Sequence, residues 1–135
     1  MKVQKIHHVS IMVKDLEKAG KFFTDLLGTE FSGPYENKEL DVRFLSSPLG
    51  INLAAPFLPD GPSARTLERR GEGLAMLVLN VPDLEKAIAD MESHGVRLIG
   101  REDRLSEKVA SFHPKDLCGV MIELMQEYSK SQLHP

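Results

Sequence analysis

The chain repeats itself. His8-Val-Ser-Ile-Met-Val-Lys-Asp-Leu-Glu-Lys-Ala19 aligns with Met76-Leu-Val-Leu-Asn-Val-Pro-Asp-Leu-Glu-Lys-Ala87 at a constant offset of 68, and Asp-Leu-Glu-Lys-Ala occurs in both copies. Ile51-Asn52-Leu53 matches Ile122-Glu123-Leu124 at nearly the same offset. Two matches in register argue for two copies of one supersecondary unit, which leaves few folds open.

Each copy reads the same way. Residues 4–13 suit a strand; Asp15 is a helix cap, and Leu16, Ala19, Phe22, Phe23, Leu26 and Leu27 recur at helical spacing before Gly28. Copy two has a strand at 74–81, then a helix from Asp83 with Leu84, Ala87, Ile88 and Met91 inward, stopped by Gly95. Three strand-like runs follow each helix: Thr29–Ser32, Asp41–Ser46 and Gly50–Ala55, then Val96–Gly100, Lys108–His113 and Val120–Met125. Gly-Pro, Asn-Lys, Ser-Pro-Leu-Gly and His-Pro-Lys-Asp break them apart. The expected fold is α+β: two βαβββ modules whose sheets bend into one curved mixed sheet cup. The modules span 1–57 and 74–127, joined by a linker with a short helix at 58–73 and followed by a frayed tail at 128–135. Positions related by the repeat then face one another, so His8 and Met76, Asn52 and Glu123 are expected to converge.

Composition narrows the partners. With 17 Lys+Arg against 20 Asp+Glu, the net charge of −3 supplies no basic field for nucleic acid. One cysteine, Cys118, forms no internal disulfide. The N-terminus carries no signal-peptide pattern and no apolar stretch approaches a bilayer-spanning length, so a cytoplasmic domain without a membrane partner is expected.

The stretches HHVSIMVKDLEKAGKFFTDLLG, PDGPSARTLERRGEGL, DLEKAIADMESHGVRLI and FHPKDLCGVMIELMQ, in this order, resemble the vicinal-oxygen-chelate superfamily, and within it the methylmalonyl-CoA epimerase branch, with glyoxalase I and bleomycin-resistance proteins as cousins. The resemblance implies a divalent metal (Co, Mn, Mg, Ni or Zn) held by four side chains, which align with His8, Asn52, Met76 and Glu123. Only His8 and Glu123 are the expected types. Asn52 is a weaker neutral donor and Met76 a soft thioether, so the expectation here is a weakly bound metal or none. Where this branch carries a Gly-rich loop before His113, the chain has Arg101-Glu-Asp-Arg-Leu-Ser-Glu-Lys108.

Glu123 stands in an apolar run, and burial without a metal would raise its pKa and suit it as a general base. The catalytic candidates are thus Glu123 and His8, the latter as partner or ligand; the metal candidates are His8, Glu123 and Asn52. Asn52, Met76, Met12, Arg43 and His113 are read as substrate contacts, His113 being first of all a turn residue. Asp41 or Arg43 could supply the family's further catalytic group. The resemblance implies proton transfer alpha to a carbonyl of a small oxygen-rich substrate, an acyl-CoA among the options, by an isomerase or lyase acting as a homodimer. The alternative is a metal-free sequestration protein, its cup lined by Met12, Leu53, Met76 and Leu124.

Overall fold

The computed structural model describes residues 1–128; the expected tail from Ser129 and His134 within it lie outside the described residues. The chain divides into two compact units, one of residues 8–75 and one of residues 1–7 with 76–135. The first strand, β1 (Lys5–Met12), and β5 (Gly73–Asn80) each run across a unit boundary.

In the unit of residues 8–75, β1 is followed by α1 (Leu16–Leu27), β2 (Ser32–Asn37), β3 (Val42–Ser46), β4 (Ile51–Pro56) and α2 (Pro62–Arg70). β4 pairs parallel with β1 and antiparallel with β3, and β3 pairs antiparallel with β2. The Asp15 carboxylate accepts from Lys18 N at 3.0 Å to start α1, and Gly28, at φ 65°, ends it in the left-handed region. Strand alternation sends Ile11, Val13, Leu53, Ala55 and Leu45 towards α1, where Leu16, Ala19 and Phe23 meet them. Gly20 lets the helix lie close on β3, since a Cβ there would stand 2.7 Å from Leu45 Cδ1. The six apolar α1 positions exceed what this contact covers: Phe22, Leu26 and Leu27 remain exposed.

In the other unit, β5 is followed by α3 (Leu84–Ser93), β6 (Leu98–Asp103), β7 (Glu107–Phe112), a 3-10 turn at Pro114–Asp116 and β8 (Met121–Glu127). β8 pairs parallel with β5 and antiparallel with β7, which pairs antiparallel with β6. Asp83 caps α3 as Asp15 caps α1, accepting from Lys86 N at 3.1 Å. Leu84, Ala87, Ile88 and Met91 are all buried, packed with Val81, Val96, Ala110, Phe112 and Leu124. Each unit therefore carries the βαβββ pattern with the same pairing senses. Among the described residues no helix is long and apolar enough to cross a membrane.

One element departs from the sequence reading. A strand was expected at Thr29–Ser32 with Gly33-Pro34 as its breaker, yet β2 starts at Ser32 and runs through both residues. Its register against β3 shifts between Ser32 and Tyr35, and among the described residues it pairs with β3 alone. A proline is tolerated at such an irregular strand, where its missing N–H breaks no regular ladder.

The α2 start depends on one carboxylate. Asp41, buried and at φ 56°, accepts from Leu58 N at 3.0 Å and from Ser63 N at 3.2 Å. Gly61 makes room for it, because a Cβ there would fall 2.2 Å from Asp41 Oδ2. Asp41→Ala leaves two backbone donors without this acceptor, and a loss of about 1–3 kcal/mol is expected in urea unfolding.

Candidate functional site

The duplication is visible in the strand registers. In residues 8–75, Asn52 on β4 stands opposite Ser10 on β1 and Ser46 on β3. In the other unit, Glu123 on β8 stands opposite Val78 on β5 and Ser111 on β7. Asn52 and Glu123 thus hold the same position in their modules, as the repeat predicts. Both are buried, at 8% and 3% exposure. Both also lie on the face of their strands away from the helix, since their sequence neighbours Leu53 and Leu124 pack into the helix-side cores.

That alternation corrects part of the expected lining. Leu53 and Leu124 were anticipated beside Met12 and Met76, but a neighbour of Asn52 or Glu123 must point to the opposite face. Met12 stands opposite Ala54 on β4, and alternation puts His8, Ser10 and Met12 on the Asn52 face. His8 itself is half-buried. Arg43 stands opposite Ala55, which is on the helix side, and its Nη2 reaches Glu17 Oε1 on α1 at 3.1 Å. Arg43 is therefore on the reverse of the Asn52 face, and Asp41 is committed to the α2 start.

The Glu123 face is built by four strands. Val78, Val109 and Met125 form a buried cluster with Met76 packed against it. Ser111 Oγ donates to Glu123 Oε2 at a long 3.4 Å. Opposite residues share a face, so Glu102, paired with Val109, lies here too, as does Glu107 two residues before Val109. Arg104, in the turn between β6 and β7, spans these carboxylates: Nε is 3.0 Å from Glu102 Oε2 and Nη1 is 3.0 Å from Glu107 Oε1. Burial among apolar neighbours raises the pKa of Glu123, and the Arg104 charge and the Ser111 hydroxyl only partly oppose this. His113 follows β7 directly and caps the 3-10 turn, Nδ1 accepting from Lys115 N at 3.1 Å. In the same turn Asp116 is bound by the Arg97 guanidinium, which holds its pKa at about 2.

Sequence reasoning reached Glu123 and missed Ser111, Glu102, Glu107 and Arg104. A parity count outward from Glu123 could have found Ser111 and Glu107, but only with the β7–β8 register in hand. Arg104 belongs to no strand, and no periodicity points to it.

The donor set does not fit the four-ligand metal site that the resemblance implies. Met76 offers a thioether packed among Val78, Val109 and Met125. Among the described residues no three His, Cys, Asp or Glu side chains group as metal ligands. Hard divalent ions prefer imidazole and carboxylate oxygen over such sulfur.

Residues 7–113 match the Glyoxalase/Bleomycin resistance protein/Dioxygenase superfamily. The chain is 30% identical over 132 residues to the ethylmalonyl-CoA/methylmalonyl-CoA epimerase of Cereibacter sphaeroides, across 92% of this chain and 98% of that one. A crystal structure of methylmalonyl-CoA epimerase from Mycobacterium tuberculosis is 31% identical with a TM-score of 0.80, covering 96% of this chain and 92% of that chain. The Streptomyces coelicolor epimerase solved with 2-nitronate-propionyl-CoA is 25% identical with a TM-score of 0.82, covering 95% of this chain and all of that one. With its repeated βαβββ pattern and the Asn52 and Glu123 positions in register, the chain belongs to the glyoxalase/bleomycin resistance/dioxygenase superfamily, as an epimerase-like member of it.

Proposed function

We propose that the protein catalyses proton transfer alpha to the carbonyl of an acyl-CoA thioester of the methylmalonyl type, with Glu123 as the base. The observation that carries this reading is the burial of the Glu123 carboxylate on an apolar sheet face, at 3% exposure. A carboxylate in water is a poor base for a carbon acid. Removing its hydration and placing it among Val78, Val109 and Met125 makes it bind a proton more tightly, as the chemistry requires. The relatives named above, epimerases of methylmalonyl- and ethylmalonyl-CoA, supply the substrate class.

In the proposed step the Cα–H bond breaks, its proton passes to a Glu123 oxygen, and the electron pair moves onto the thioester carbonyl to give an enolate. Return of a proton to the same face restores the substrate. Inversion needs delivery to the opposite face by a second proton carrier. Ser111, whose hydroxyl touches Glu123 Oε2, orients the base.

The two roles separate experimentally. Incubation with one epimer of methylmalonyl-CoA in D2O reads proton exchange at Cα by mass and inversion by chirality. Glu123→Gln is expected to lower exchange by about 10²–10⁴-fold, the range that positioned general bases contribute. Undiminished exchange in Glu123→Gln would overturn the assignment, and acyl-CoA binding without exchange in the parent protein would make it a sequestration protein instead.

The same glutamate affects stability. Its pKa is raised in the folded state, so the native protein holds the proton more tightly than the unfolded chain does. That stabilisation is complete below the ordinary glutamate pKa and is lost as pH rises through the raised value. Glu123→Gln removes the decline, so urea midpoints across this window should fall less steeply with pH in the variant than in the parent.

A further inference from the structure

We propose that Arg104 is the anion-recognition residue of the Glu123 face, selecting thioesters that carry a second, free carboxylate. The inference rests on the function proposed above and names the feature of the substrate that the site reads.

The face around Glu123 has a charge problem. Glu102, Glu107, Glu123 and Glu127 all project from it, and none of the strand positions of β5, β6, β7 and β8 on this face carries Lys or Arg. Arg101 and Lys108 belong to the reverse side: Arg101 stands opposite Ala110 of the helix-side core and ion-pairs with Glu85 of α3. A dicarboxylic substrate approaching four carboxylates would be repelled. The guanidinium that offsets this comes from the turn, where Arg104 reaches over the face and is half-buried, its side chain 28% exposed.

Its setting suits a ligand contact better than a simple turn fastening. The turn is already closed by a backbone bond from Arg104 N to Glu107 O at 2.7 Å. The pairs with Glu102 and Glu107 are therefore not needed to close it. They do hold the planar fork in a fixed orientation beside Glu123, and the two charges favour each other's ionised form. The fork has more N–H donors than its contacts with Glu102 and Glu107 use, and a carboxylate is the geometry it matches. The metal that would bind substrate oxygens in the wider family has no fitting donor set here, and Arg104 supplies a fixed positive charge on this face.

Binding of two thioesters that differ in one group tests this. Methylmalonyl-CoA carries the carboxylate; isobutyryl-CoA has a methyl in its place. In Arg104→Gln the dissociation constant for methylmalonyl-CoA is expected to rise about 10–100-fold, the range of hydrogen bonds to a charged group, while that for isobutyryl-CoA moves less than about twofold. Arg104→Lys should fall between, keeping the charge and losing the fork. Equal losses for both thioesters, or no loss for methylmalonyl-CoA, would overturn the proposal; a matching thermal midpoint in Arg104→Lys separates either result from misfolding. Free malonate and isobutyrate serve as a second pair. If neither thioester binds the parent protein but malonate binds in an Arg104-dependent way, anion recognition stands and the acyl-CoA reading falls. If malonate binding also ignores Arg104, the proposal fails by itself.

Discussion

The pleat of the strands is the constraint on which the rest depends. Successive side chains must leave a strand on opposite faces, so each strand next to a helix divides its residues between a helix-side core and a second face. Leu53 and Leu124 are fully committed to the cores under α1 and α3, and that commitment forces Asn52 and Glu123 the other way. A one-residue slip would bury the polar side chains against the helices and expose the leucines, at a cost no small domain tolerates. In each unit, the face that carries Asn52 or Glu123 is thus held in place by hydrophobic burial on its reverse.

Burial of a carboxylate is expensive, and the protein limits that cost without removing it. Ser111 gives Glu123 one long hydrogen bond, and Arg104 gives it a nearby opposite charge shared with Glu102 and Glu107. The sum still leaves the carboxyl harder to ionise than in water. A purely structural glutamate would gain from full pairing, or from replacement by a residue like Leu. An incompletely compensated acid is what a proton-transfer site needs. Asp41 shows the contrast: its two oxygens take Leu58 N and Ser63 N, and its task is to start a helix.

Met76 belongs to the same balance. It stands where the family resemblance calls for a metal ligand, and instead packs its side chain against Val78, Val109 and Met125. That substitution makes the surroundings of Glu123 more apolar and so reinforces desolvation of the carboxylate.

Much was legible in the residues alone. The internal match of 8–19 with 76–87 determined that the fold is a duplicated βαβββ unit, the Asp-capped amphipathic runs determined where α1 and α3 begin, and the lone acidic residue in Val120–Met125 singled out Glu123, because periodicity and capping are local properties. The tertiary structure alone decided that Gly33-Pro34 lies within a strand, that Arg43 turns to Glu17, that Asp41 serves α2, and that Glu102, Arg104 and Glu107 gather beside Glu123. Those outcomes depend on strand register and on turns that bring residues distant in sequence together, and no spacing along a single chain encodes which face or partner such a residue finds.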